Sequence, residues 1–223
     1  LLVLQAMGIS AFGLNCTSAD LCPDIISEIA PYAKIPLIVK PSAVYEQDGE
    51  RQSISPEEFA FAVKKSVLSG AEIAGGCCGT GKEHIAALRE MFASLDASEI
   101  NPVEKQDTSL ALATENQMFF LDPETTEFSP AVECGPYMED DIAQMCGESY
   151  DVLTVSINSP DDAIDFGRNM HMATLPVAFL SDDEISLKMA LMLYQGRAII
   201  DRKSLIEPEK LEAMAEKYGA VLY

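Results

Sequence analysis

Four times in this chain a helix-start signature follows a short apolar run: Ser55-Pro56-Glu57-Glu58, Thr80-Gly81-Lys82-Glu83, Ser159-Pro160-Asp161-Asp162 and Ser181-Asp182-Asp183-Glu184. Each places a hydroxyl where a cap belongs and a carboxylate three residues on, the pair that satisfies the free amides of a first turn from both sides. Proline at the first helical position of two of them adds a pre-set φ. The runs ahead of them, Ile35 to Val39, Glu72 to Ala74, Val152 to Ser156 and Val177 to Leu180, read as strands. A strand followed by a helix, repeated in line, requires parallel pairing with covering helices. The expected fold class is α/β.

The remaining elements fit the same rhythm. Leu1 to Met7 reads as the end of a helix stopped by Gly8, Ala11 to Asn15 as a short buried strand, and Ser18 as the cap of a helix over Asp20 to Tyr32. The helix from Ser55 runs to about Ser69 and is stopped by Gly70; the one from Thr80 runs to about Ser94. The polar stretch Asp96 to Ser109 then reads as a linker. Beyond it, Met118 to Leu121 and Ala198 to Ile200 read as strands and Glu209 to Tyr218 as the last helix. Three segments follow: a first α/β module over 1–95, a linker over 96–109 and a second α/β module over 110–223. The apolar start without Met and the strand-like end Ala220 to Tyr223 lead us to expect an excerpt of a longer protein.

Charge separates the modules. The net charge of the 223 residues is −21, of which residues 1–105 carry −6 and residues 106–223 carry −15. Between Lys105 and Arg168 there are 14 acids and no Lys or Arg, a pattern expected of a solvated face. Nucleic acid and anionic membrane are excluded as electrostatic partners, because both select a basic footprint. The first 19 residues are uncharged but include Gln5, Ser10, Asn15 and Thr17 and lack a basic start, so neither a targeting nor a membrane-spanning segment is read there.

Six cysteines, at 16, 22, 77, 78, 134 and 146, lack the small-loop spacing of a disulfide framework. Reduced thiols and a cytoplasmic setting are expected. Three of them stand apart. Cys77 and Cys78 lie in Gly75-Gly76-Cys77-Cys78-Gly79-Thr80, at the carboxyl end of one strand, and Cys16 lies in Gly13-Leu14-Asn15-Cys16-Thr17, at the carboxyl end of another. That edge of a parallel sheet is where sites are built. Three thiolates converging there suit zinc, with a fourth position left for a substrate thiol that binds as its thiolate. Such a thiolate attacks an electrophilic methyl carbon at neutral pH.

At these residues the chain resembles the homocysteine S-methyltransferase family. The resemblance runs from Leu1 to about Phe92 and rests on the Gly-Leu-Asn-Cys strand end, Pro36-Leu37-Ile38-Val39-Lys40-Pro41, Ser55-Pro56-Glu57-Glu58-Phe59 and the Gly-Gly-Cys-Cys-Gly-Thr turn followed by His84-Ile85. It implies the last three β/α units of a (β/α)8 TIM-type barrel, zinc held by Cys16, Cys77 and Cys78 as metal ligands and catalytic residues, homocysteine as the thiol that becomes methionine, and Asn15 as a substrate contact. Where the family has Asn after Pro41, this chain has Ser42. The early strands, which in the family carry an Asp-Gly-Ala-Met-Gly-Thr segment, are not in this chain. Leu175 to Ser181, Gly196 to Asp201 and Glu212 to Leu222 resemble, with departures at Leu180 and Asp201, the pterin-binding barrel of cobalamin-dependent methionine synthases. This implies a methyl source among methylcobalamin, methyltetrahydrofolate acting through cobalamin, or a sulfonium or betaine donor, and a corrinoid protein or domain as partner.

The other reactive side chains have ordinary readings. Cys22, Cys134 and Cys146 are expected as small buried hydrophobes, His84 as a packing or capping residue, His171 as a loop residue without a metal partner, and Met189 and Met192 as core. Two alternatives to a homocysteine methyltransferase stay open: a non-catalytic partner-binding or scaffold module that retains the cysteine turn, and a methyltransferase acting on another thiol such as coenzyme M.

Overall fold

The computed structural model describes residues 1–47 and 49–223. They divide into two compact units, Leu1 with Ile9–Gln106 and Leu2–Gly8 with Asp107–Tyr223. The short helix α1 (Leu2–Ala6) therefore belongs with the second unit, although its place in the chain suggested the first module. The division at Gln106 falls inside the expected linker, most of which is packed on the first unit. Val103 lies against that unit's core, Lys105 Nζ donates to Ala30 O at 2.8 Å, and Gln106 N donates to Pro31 O at 2.9 Å.

In the first unit, β1 (Phe12–Ser18) is followed by α2 (Cys22–Ile29), a 3-10 turn over Ala30–Tyr32 and β2 (Leu37–Ser42). A hairpin, β3 (Val44–Gln47) and β4 (Glu50–Ser53), leads into α3 (Pro56–Leu68), β5 (Ile73–Ala74) and α4 (Lys82–Ser94). The parallel sheet has the order β1-β2-β5, each strand beside the next in the chain. Alternation sorts its two faces. Phe12, Leu14, Leu37, Val39 and Ala74 pack with Ile26, Phe59, Val63 and Leu88 of the helices, whereas Gly13, Asn15, Ile38, Lys40 and Ile73 turn the other way. The β3–β4 hairpin carries no apolar alternation in the sequence, with Glu46 and Glu50 among its residues.

Helix caps depart from expectation in instructive ways. Ser55 caps α3 as expected: Glu58 N donates to Ser55 Oγ at 3.2 Å and Ser55 N to Glu58 Oε2 at 2.9 Å. At α4 the cap moves one residue on. Gly81 is the N-cap, and its N–H is taken at 3.2 Å by His84 Nδ1 rather than by Glu83, while Thr80 Oγ1 donates to Cys77 O at 2.6 Å. Ser18 caps nothing; it donates to Asp20 Oδ1, and α2 starts from Leu21 without a side-chain cap.

The second unit begins its sheet work with an antiparallel hairpin, β6 (Ala111–Ala113) and β7 (Met118–Phe120). The Met118 segment is thus a strand, but not one of the parallel series. That series is β8 (Val132–Glu133), α5 (Met138–Gly147), β9 (Leu153–Ser156), α6 (Pro160–Asn169), β10 (Val177–Leu180), α7 (Glu184–Leu193), β11 (Ile199–Ile200), α8 (Pro208–Tyr218) and β12 (Val221–Leu222). Its five strands are parallel and lie in chain order. Val132, Leu153, Val155, Val177, Phe179 and Ile200 pack on the helices, and Ala178 and Ile199 pack on the other face with Leu110 and Leu112 beside the hairpin. In each unit one face of the parallel sheet packs on the helices that follow its strands. Ser159 caps α6 as expected, but the cap of α7 is Asp183, two residues beyond Ser181. Arg197 ties the unit together: its guanidinium donates to the carbonyls of Gly219 (3.0 Å), Thr108 (3.3 Å) and Ala111 (2.6 Å). Met189 packs against the core as expected, but Met192 is 70% exposed and is not a core residue.

Candidate metal centre

The carboxyl end of β1 and the turn after β5, at one edge of the first unit's sheet, bring Cys16, Cys77 and Cys78 together. Their sulfur atoms all lie within 4.8 Å of one another, with Cys16 Sγ to Cys78 Sγ at 3.4 Å and Cys77 Sγ to Cys78 Sγ at 3.9 Å. Among the described residues this is the one group of three His, Cys, Asp or Glu side chains so placed. Cys16 and Cys77 are joined as a disulfide with their Cα atoms 5.6 Å apart. This corrects the expectation that all six thiols are reduced; Cys22, Cys78, Cys134 and Cys146 are free.

Local backbone chemistry explains how consecutive and distant cysteines reach one spot. The pairing of β1 with β2 is regular from Phe12 to Asn15 and then shifts before Ser18, and inside that irregularity Cys16 has φ 58. A left-handed non-glycine residue costs roughly 1–2 kcal/mol, and a bulge re-aims its side chain. In the turn after β5 Gly79 has φ 77, and a Cβ there would overlap Val44 Cγ1. Glycine is required at that position on both counts. Gly13 meets a different constraint, since a Cβ would overlap the carbonyl oxygen of Ile38.

The cysteine turn is then tied to β2. Cys77 N donates to Pro41 O at 3.0 Å and Ala43 N to Cys78 O at 2.8 Å. Ser42, 8% exposed, donates to Val44 O at 2.7 Å and to Cys78 O at 3.3 Å and accepts from Val44 N at 3.1 Å. In the sequence Ser42 stands out as a replacement for Asn; its place at the end of β2 is the signal that it holds the turn. A cavity of about 310 Å³ lined by Ser18, Asp20, Ser42, Tyr45 and Glu58 adjoins this edge.

Two of the three sulfur pairs have a spacing that zinc coordination can be compared with, and the third, Cys16 with Cys77, is joined and serves as two ligands only once reduced. Tetrahedral coordination with Zn–S bonds of about 2.3 Å sets neighbouring sulfurs about 3.8 Å apart. The two non-bonded separations, 3.4 and 3.9 Å, bracket that value, and reduction of Cys16 and Cys77 supplies the other two thiolates. Asn15 is exposed on the sheet face away from the helices, next to Cys16 in the chain.

The remaining thiols and imidazoles lie elsewhere and behave as ordinary residues. Cys22 is fully buried, and burial with the charge of Asp20 pushes its thiol up to about 11. Cys134 packs on the second unit's core; burial, then Asp162, Asp165 and Glu133, push its thiol up to about 12. His84 has both ring nitrogens engaged, Nδ1 by Gly81 N and Nε2 with Ile54 O at 3.2 Å, and its ring meets Phe59 edge-on. His171 Nδ1 pairs with Arg168 O at 3.1 Å. Among the described residues no helix is long and apolar enough to cross a membrane.

Residues 1–92 match the family described as homocysteine S-methyltransferase, in agreement with the motif resemblance. Homocysteine S-methyltransferase YbgG of Bacillus subtilis (strain 168) is 30% identical over 91 residues, which is 39% of this chain and 29% of that protein. Methionine synthase of Mycobacterium leprae (strain TN) is 30% identical over 100 residues, 43% of this chain and 8% of that protein. Selenocysteine Se-methyltransferase of Brassica oleracea var. italica is 30% identical over 90 residues, 38% of this chain and 26% of that protein. The chain thus spans under a third of the length of each of these relatives.

Proposed function

We propose that the first unit is the metal-holding segment of a thiol methyltransferase, with Cys16, Cys77 and Cys78 as zinc ligands and homocysteine as the thiol methylated to methionine. The observation that carries this reading is the meeting within 4.8 Å of three sulfurs from the end of β1 and the turn after β5. The match of residues 1–92 to the family supports it independently. Zinc, when bound by three thiolates, lowers the pKa of a thiol that takes its open position and so supplies a nucleophile at neutral pH.

The chain's own residues do the holding and positioning. The bulge at Cys16 and the glycine turn present the three sulfurs, Ser42 and Thr80 fix the carbonyls of Cys78 and Cys77, and Asn15 faces the substrate side of the sheet. Three and five parallel strands in chain order support the further reading of the two units as segments of (β/α)8 barrels, and the motifs from Leu175 to Leu222 support a degenerate pterin-binding type for the second. The methyl source on this reading is methylcobalamin, or methyltetrahydrofolate acting through cobalamin with a corrinoid protein or domain as partner.

The test is methyl transfer to homocysteine by the full chain, reduced and zinc-loaded, with methylcobalamin, methyltetrahydrofolate plus cobalamin, or a sulfonium donor. Formation of methionine, lost in Cys78→Ser, is expected. A folded, zinc-loaded protein that methylates homocysteine with none of these donors overturns the reading.

A further inference from the structure

Lys40 stands in an unusual place for a surface lysine. It is the last residue before Pro41 on the central strand of the first unit's sheet, and its direct neighbour on β1 is Asn15. On the other side Val39 pairs with Ala74, and Gly75 N donates to Val39 O at 2.9 Å, which sets Gly75 alongside Lys40. Asn15, Lys40 and Gly75 therefore form one rung across the sheet, immediately before the segments that carry Cys16 and Cys77. Alternation sends Leu37 and Val39 into the helix-covered core and Lys40 to the other face, where it is exposed.

The rung leaves room for the side chain to be used. A Cβ on Gly75 would stand 3.5 Å from Lys40 Cγ and 3.8 Å from Cδ, so the lysine stem runs along a residue that has no side chain to crowd it. Among the described residues Lys40 forms no ion pair, whereas Lys64, Lys82, Lys188, Lys203 and Lys210 do. The lysine thus lies on the exposed face of the rung that immediately precedes the Cys16 and Cys77 segments. An ammonium on that rung with no ion pair among the described residues is suited to a carboxylate or other acidic group carried by an incoming thiol.

Resting on the thiol-methyltransferase reading, we propose that Lys40 is the substrate-binding residue that selects anionic thiols, pairing its ammonium with the acidic group of a small thiol acid whose sulfur goes to the cysteine cluster. Lysine here is a point charge on a flexible stem, so the contact needs charge more than a fixed fork geometry, and arginine would replace it. Exposure makes the attraction sensitive to salt.

The experiment is a calorimetric titration of the reduced, zinc-loaded full chain with 3-mercaptopropionate and with its neutral counterpart 3-mercapto-1-propanol, repeated for Lys40→Met and Lys40→Arg. The unsubstituted protein is expected to bind the acid about tenfold more tightly than the alcohol, as one charge-assisted contact implies. Lys40→Met removes that preference while changing alcohol affinity by less than about twofold, Lys40→Arg retains it, and zinc content is the same in all three. Equal affinity for the two thiols in the unsubstituted protein, or equal losses for both in Lys40→Met, overturns the role of Lys40. Failure of the unsubstituted protein to bind either thiol overturns instead the thiol-methyltransferase reading on which it rests.

Discussion

Cys16 Sγ lies 3.4 Å from Cys78 Sγ although 62 residues separate them in the chain. Two parallel strands, the bulge at Cys16 and a glycine turn are all needed to produce that approach. The interactions that hold it are the places where substitution has the sharpest consequences.

Gly79 is the first. Its φ of 77 disfavours any other residue, and a Cβ would run into Val44. Gly79→Ala is expected to destabilise the protein by about 1–3 kcal/mol and to lower zinc content with it. Urea denaturation followed by circular dichroism measures the first effect, and an unchanged midpoint would show that the turn tolerates a side chain.

Ser42 is the second. Its hydroxyl serves Val44 and the carbonyl of Cys78 while nearly out of contact with water. Ser42→Ala is expected to cost about 1–2 kcal/mol and to weaken zinc binding about tenfold in a chelator competition, because a ligand loop loses its anchor. Zinc affinity equal to that of the parent would mean that the two backbone hydrogen bonds from Cys77 and Ala43 suffice.

The cysteines should also differ in reactivity. The thiolate is the reacting species, and with its thiol raised to about 12, Cys134 is thiolate in only about one molecule in ten thousand at pH 8. In reduced, metal-free protein, iodoacetamide at pH 8 is expected to label Cys78 quickly and to leave Cys22 and Cys134 unmodified until urea is added. Because the folded value of Cys134 lies above the unfolded one, its contribution to stability is fully present below about pH 9 and is lost as pH rises toward 12. Peptide mass mapping of the labelled sites decides the point; early labelling of Cys134 contradicts it.

In the second unit the comparable anchor is Arg197. Its guanidinium satisfies three carbonyls on two segments, 108–111 and Gly219, and burial lowers its pKa without removing its charge. Arg197→Met is expected to destabilise that unit by about 2–4 kcal/mol, since the carbonyls of Gly219 and Ala111 lose the guanidinium as donor and that of Thr108 keeps only Ala111 N. Thermal unfolding is the measurement, and a shift indistinguishable from zero contradicts the role.

Part of this architecture was legible from residues 55–58 and 159–162, where the hydroxyl and the carboxylate three residues on form the capping box the sequence displays. Other features depended on contacts the sequence does not display. The cap of α4 passed to Gly81 and His84 because Thr80 was drawn back to Cys77, and α1 left the first unit for an apolar seat on the second. The cysteine triplet was legible because glycine on both flanks and a third thiol at a second strand end mark one edge of a parallel sheet. Ser42 and Lys40 were not, since a hydroxyl or an ammonium gains meaning only once its strand register is known.

The central claim is that Cys16, Cys77 and Cys78 form one metal centre. The most direct measurement is zinc content of the full chain after reduction, reconstitution and removal of loosely bound metal. The account predicts close to one zinc per chain, and a large loss in each of Cys16→Ser, Cys77→Ser and Cys78→Ser but not in Cys22→Ser or Cys146→Ser. A reduced, folded protein that retains no zinc, or one that keeps its zinc after any of the three substitutions, contradicts it.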